Sequence, residues 1–244
     1  MHLPSAVELI GAWERGAAQH WIDRALTMLS AAYPEMTFAE LAALTIGQRD
    51  ARLLAVHERL FGSSLSCFVL CPQCETRLEF KLNIADIVPR EAVETGWTAH
   101  EIVSGGVRLK FRAPDSEDLA AAATCGDVAT ARKVLVERCV LEAVRDGVPL
   151  AMDGWPEGAI DAISAELADM ETHADITFAL TCVACAHRWQ LVLDIVSFLW
   201  SEISWLAKRH LRDVHTLAWT YGWREADILA MSPVRRQFYL DSVS

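Results

Sequence analysis

FVLCPQCETRLEFKLNI (residues 68–84) returns as ALTCVACAHRWQLVLDI (residues 179–195), aligned without a gap at an offset of 111 residues. The cysteines match: Cys71 with Cys182, and Cys74 with Cys185. Arg77 matches Arg188, and Phe80, Leu82 and Ile84 match Leu191, Leu193 and Ile195. Each copy reads as strand, CxxC, strand, the outline of a knuckle that aims two sulfurs to one side. One knuckle offers two ligands, whereas structural zinc takes four in a tetrahedron. Two knuckles supply four soft, anionic thiolates, which suit zinc better than magnesium or calcium. Cys71, Cys74, Cys182 and Cys185 are therefore expected to hold one structural Zn2+ in a split zinc ribbon, whose halves are separated by a 107-residue insertion. Halves of a contiguous ribbon usually lie about 15–20 residues apart, and the matched flanks compensate for the longer spacing.

Other uses of the cysteines fit less well. A redox CxxC opens a helix in a thioredoxin-like unit, but an alternating strand follows each motif here. A catalytic zinc keeps an open position and takes a His or carboxylate ligand. His187 is close enough to serve, yet its counterpart in the first copy is Thr76, so it is read as a neighbour of the site. Cys67 is matched by Phe178 and is read as packed in its strand. Cys125 and Cys139 fall in helical patterns as small hydrophobes.

Outward from the repeat, the chain is mostly helical. Ser5 with Glu8 and Thr37 with Glu40 form capping boxes. Leu9, Trp13, Ala17, Trp21, Ala25 and Met28 recur at helical spacing between them. TIGQRDARLLAVHERLFG (45–62) is a helix with Gly62 as its stop. TAHEIV (98–103) and VRLKFRA (107–113) pair as strands across Gly105-Gly106. Asp115 caps one helix and Asp127 a longer one, ATARKVLVERCVLEAV, which runs to near Gly147. A polar connector (146–158) and the acidic helix AIDAISAELADME (159–171) lead to ITFALT (176–181), the strand before the second CxxC. Helices then run to the end, broken at Gly222 and restarted at Ser232-Pro233.

The expected fold class is α+β, mainly helical, with a small antiparallel β region that contains the split zinc ribbon and a long helical insertion. The expected segments are an N-terminal helical region (1–62), the first knuckle with its strands (63–113), the helical insertion (114–174), the second knuckle (175–196) and a C-terminal helical region (197–244).

Composition narrows the function. Thirty-three acids against 22 bases give a formal charge of −11, which disfavours tracking of phosphate or anionic lipid. The first residues carry no basic targeting region, and no stretch has the roughly 18 uncharged apolar residues of a membrane span. The cytoplasm, a reducing compartment, is expected. There is no Gly-rich phosphate loop, HExxH or GxSxG. His210 and His215, five apart, do not share a helix face as a metal pair would. Nine Trp and 18 Arg suit either a core or interface anchors. The tail (223–243) reads as two short helices with too few bases for a DNA reader, and so as an interaction module.

The stretch TIGQRDARLLAVHERLFG, the segment LSCFVLCPQCETRLEFKLNIADI (65–87) and the ending AWTYGWREADILAMSPVRRQFYLD (218–241) resemble the baseplate hub assembly chaperone family of the T-even phages, found in tail and contractile-injection gene clusters. That resemblance implies a non-enzymatic assembly chaperone or structural component of a contractile tail. Its implied partners are baseplate, hub or spike proteins, in a bacterial or phage-infected cytoplasm or within the assembled particle. A zinc-ribbon module associated with nucleic acid or transcription is the alternative, and a metalloenzyme the third.

Overall fold

A computed structural model of the chain describes residues 1–87, 99–170 and 176–243. In chain order its first half contains α1 (Ala6–Gly16), α2 (Trp21–Ala32), α3 (Phe38–Ala42), α4 (Ile46–Phe61), β1 (Ser64–Leu70), β2 (Arg77–Asn83), α5 (Ile84–Ile87), β3 (His100–Ser104) and β4 (Val107–Phe111). There follow α6 (Ser116–Ala123), α7 (Val128–Cys139), β5 (Val140–Arg145), β6 (Val148–Pro149), α8 (Ala159–Met170), β7 (Thr177–Thr181), β8 (Arg188–Val192), α9 (Ile195–Tyr221), α10 (Glu225–Leu229) and α11 (Pro233–Asp241). The fold is α+β and mainly helical, with small antiparallel sheets. Thr98 of the expected strand 98–103 and Glu171 of the expected helix 159–171 lie outside the described residues.

Two compact units divide the chain: Met1–Met36 with Ile195–Ser244, and Thr37–Asp194. In the first unit, α1 starts at the expected box, where Glu8 Oε2 accepts from the Ser5 N–H at 2.7 Å and the Glu8 N–H donates to Ser5 Oγ at 3.3 Å. The periodic stripe from Leu9 to Met28 spans two helices. The chain turns after Gly16, and the His20 ring caps α2 by accepting from the Ile22 N–H at 3.5 Å. Leu9, Ala12, Ala25 and Leu29 are buried, as are Leu199, Ile203 and Ala207 of α9, which packs on both helices.

Gly16 is a point of close approach to α9. A Cβ on it would stand 2.5 Å from Trp200 Cζ3, so the bulky indole would have to shift. Gly16→Ala is expected to cost about 1–3 kcal/mol by overpacking, although alanine is the better helix former. Urea unfolding followed by tryptophan fluorescence measures this, and an unchanged or raised midpoint would reject the contact.

The second unit departs from its sequence reading in one stretch of chain. The correction concerns residues 140–144. Helix α7 ends at Cys139, and Val140–Arg145 form β5. Asp146 and Gly147 both have positive φ and close a two-residue hairpin, in which Arg145 faces Val148. That Asp-Gly signal requires a strand before it, and pairing with β4 (Leu109 opposite Ala143) overrides the helical spacing. The insertion between the cysteine pairs is thus helical with a four-stranded antiparallel sheet, in the order β3-β4-β5-β6. Val107, Leu109 and Phe111 present alternate side chains to a core completed by Val136, Cys139, Ile163 and Leu167. Cys139 is a core residue, as expected, and burial pushes its thiol up to about 12.

Two polar features of this unit were not singled out in the sequence. Helix α4 buries Arg49, Asp50 and Arg52 of the QRDARLL stretch; Arg49 Nε meets Asp50 Oδ1 at 2.7 Å, and Arg52 Nη1 donates to the Gln48 carbonyl at 3.0 Å. Asp118, in the first turn of α6, is fully buried between two guanidinium groups. Arg112 Nη1 donates to its Oδ2 at 2.6 Å, and Arg138 Nε to its Oδ1 at 2.8 Å.

Candidate metal centre

Each CxxC sits at the tip of its own hairpin. Strands β1 and β2 pair in register from Ser64 opposite Asn83 to Leu70 opposite Arg77. Strands β7 and β8 pair from Thr177 opposite Val192 to Thr181 opposite Arg188. The hairpins alternate half-buried and exposed side chains, as a two-sided strand pattern dictates.

The two tips repeat each other in backbone geometry as well as in sequence. The Cys71 N–H donates to the Thr76 carbonyl at 3.0 Å, and the Cys182 N–H to the His187 carbonyl at 2.9 Å. The Glu75 N–H returns to the Cys71 carbonyl at 2.9 Å, and the Ala186 N–H to the Cys182 carbonyl at 2.9 Å. Glu75 and Ala186, each just after the second cysteine, both have φ 57°. Neither residue is glycine, so the left-handed conformation is imposed by the turn that folds each sulfur pair inward. That position was not singled out in the sequence; its signal was only its place in the repeat.

The four sulfurs converge. Cys71 Sγ lies 3.6 Å from Cys185 Sγ, and Cys74 Sγ lies 3.6 Å from Cys182 Sγ. All four ligand atoms fall within 4.8 Å of one another. A zinc tetrahedron with Zn–S bonds of about 2.3 Å has S···S edges of roughly 3.8 Å. The spacing is much longer than the roughly 2.05 Å of a disulfide. The first cysteine of each knuckle is buried and the second exposed. The cluster therefore contains the four expected residues and could hold a metal ion.

It differs from the expectation in one respect. The hairpins are two separate two-stranded sheets and do not join as one ribbon. Each backbone pairs within its own hairpin, so the approach of the two halves is made by the sulfurs, not by a shared strand edge.

Surrounding groups bias the thiols. The Thr76 hydroxyl, 3.3 Å from Cys74 Sγ, followed by the Thr76 backbone and Cys185, holds the Cys74 thiol down to about 6. The His187 backbone N–H favours the Cys185 thiolate, but desolvation and the sulfurs of Cys74, Cys182 and Cys71 outweigh it and push that thiol up to about 12. One thiolate forms readily, and its charge then opposes the next. A divalent cation held by the four sulfurs would remove that opposition and favour the thiolate forms. The Ala184 N–H, 3.4 Å from Cys182 Sγ, supplies a further donor to a sulfur.

His187 and Cys67 lie outside the cluster. The His187 ring stacks on Trp189, with centroids 5.8 Å apart and planes at 14°. Cys67 stands opposite Phe80 in the β1–β2 pair. His210 and His215 do not come together with the cysteines; His210 Nδ1 contacts Arg236 Nη2 at 3.0 Å, and His215 stacks on Trp219. No helix among the described residues is long and apolar enough to cross a membrane.

Nothing among curated proteins or solved structures matches the chain. A family model described as T4 bacteriophage base plate protein matches residues 9–200, a span that includes both knuckles and the insertion between them. With most of its length so matched, the chain belongs to the T4 bacteriophage base plate protein family.

Proposed function

We propose that this protein is a non-enzymatic assembly chaperone or structural component of the baseplate or hub of a contractile phage tail or phage-like injection system, and that Cys71, Cys74, Cys182 and Cys185 hold a structural Zn2+ in it. The family match over residues 9–200 carries the baseplate reading. The converged sulfurs support the metal, and four protein ligands close its coordination, as in a structural rather than a catalytic site. The metal would then clamp Cys74 to Cys182 across a 107-residue insertion. Its partners are baseplate, hub or spike proteins, met in the cytoplasm of the producing cell.

Co-purification tests this reading. A tagged chain expressed during tail assembly is expected to retain baseplate, hub or spike proteins through a salt wash, identified by mass spectrometry. Its presence in finished particles would make it a component, and its absence from them a transient chaperone. Retention of RNA polymerase or ribosomal proteins alone would overturn the proposal.

A further inference from the structure

The groove between α9 and α11 lies beyond the matched residues, which end at 200. It has a volume of about 730 Å³. Leu206, His210 and Asp213 line it from α9, and Val234, Phe238 and Asp241 from α11. Both sets are spaced i, i+4 and i+7, so each helix gives one face to the groove. The apolar wall is open to solvent: Val234 is 82% and Phe238 68% exposed. The apolar side chains Leu206, Val234 and Phe238, set among polar neighbours, suit an apolar segment that also carries a polar group.

Arg236 also lines the groove and is only 5% exposed. Its Nε lies 3.4 Å from Asp213 Oδ2, and its Nη2 3.0 Å from His210 Nδ1. Its Nη1 is buried and has no hydrogen-bond partner among the described residues. A buried guanidinium N–H left unmet is costly, and an incoming carboxylate is the acceptor that relieves it best. The local charge agrees. Among the lining residues Arg209 and Arg236 balance Asp213 and Asp241, so the groove itself is neutral in a chain whose formal charge is −11. A single carboxylate therefore meets less repulsion here than the chain's net charge imposes on average.

We infer that this groove seats an apolar segment of a partner protein that brings a carboxylate to Arg236. That the occupant is a protein segment rests on the baseplate-component reading; the carboxylate chemistry does not, and the two fail separately. The probes are hexanoate and its uncharged counterpart hexanol, titrated into the full chain while the methyl resonances of Leu206 and Val234 are followed. Hexanoate is expected to saturate the shifts at a concentration at least tenfold lower than hexanol. Arg236→Gln, checked by circular dichroism, should bring hexanoate down to the hexanol level, whereas Phe238→Ser should weaken both probes alike. Should Arg236→Gln not fold, the hexanoate-to-hexanol ratio in the unaltered chain decides. Equal binding of the two probes, or hexanoate binding indifferent to Arg236→Gln, would overturn the inference. So would a concentration-dependent dimer in sedimentation that Phe238→Ser abolishes, since a second copy would then be the occupant.

Discussion

Cys182→Ser is expected to lower the zinc content of the purified protein from about one ion per chain to near zero, and to cost at least ~4 kcal/mol of unfolding free energy. The magnitude follows from two estimates. Structural zinc sites in small peptides contribute about 10–16 kcal/mol of apparent binding free energy near neutral pH. A covalent link closing a loop of about 100 residues contributes roughly 4.7 kcal/mol by restricting the unfolded chain. The loop here, 107 residues between Cys74 and Cys182, is of that size, and a three-ligand remnant would not keep it closed. Cys182 is also buried, so serine there puts a hydroxyl where water cannot reach it. Cys185→Ser, at an exposed position, should lose the metal equally but destabilise less. His187→Ala and Cys67→Ser should keep one zinc per chain. Metal analysis and chemical unfolding, with and without a chelator, measure all four variants. Protein that is zinc-free yet unfolds at the same midpoint as the untreated chain would end the metal reading.

Acid should release the ion for a definite reason. The bound form requires four thiolates, and each proton that returns competes with the metal. Thr76 favours the Cys74 thiolate, but the four sulfurs oppose one another's charge, so without the cation most of them take up protons. Release on acidification is therefore expected to be steep, because the departure of one ligand makes the others easier to protonate.

The repeat made the cluster legible from sequence because like sequences fold alike: seventeen aligned residues dictated two hairpins with the same turn, and convergence of their sulfurs was the one step left to infer. Capping residues were legible for a related reason. Ser5, Asp115, Asp127 and Ser232 act on N–H groups two or three residues away, so the whole interaction is local. Strand β5 was not, because its conformation is decided by β4, some thirty residues earlier, and only the Asp146-Gly147 turn announced it. The separation of the two hairpins was not legible either, since alternation along a strand says which face is apolar and nothing about which edge is paired. Arg236 looked like one of a pair of tail arginines; its burial against His210 and Asp213 comes from a helix 20 and more residues upstream.

Asp118 shows the same limit and yields the second large effect. In sequence it is one acid of the SED triplet at 116–118, on the opening turn of a helix, where carboxylates are common on solvated surfaces. In the fold it joins three elements: Arg112 at the end of β4, the Asp115 backbone N–H at 3.1 Å, and Arg138 on α7. Removal of one member of such a buried set strands the others, at about 3–5 kcal/mol. Arg138 is partly exposed and can turn to water, so Asp118→Ala is expected near the lower end, about 3 kcal/mol. Asp118→Asn keeps the shape and one acceptor and should cost less. The pH dependence gives a separate handle. Desolvation works to raise the Asp118 carboxyl, but the Arg112 and Arg138 contacts and the Asp115 N–H outweigh it and hold it below the ordinary 3.8. A carboxyl lower in the folded chain than in the unfolded one contributes stability that is complete above the unfolded value and disappears as pH falls through the folded value. Asp115 runs the other way: desolvation first, then the Asp118 charge, raise it, so its contribution is present below the unfolded value and lost as pH rises through the folded one. Unfolding free energy measured from pH 6 downward, in a Cys182→Ser background so that zinc release does not intrude, should therefore fall in acid for Asp118 and fall less for Asp118→Asn, although freeing Asp115 from a like charge works against that difference. Parallel acid limbs for the two proteins would mean that the buried carboxylate carries no such stability.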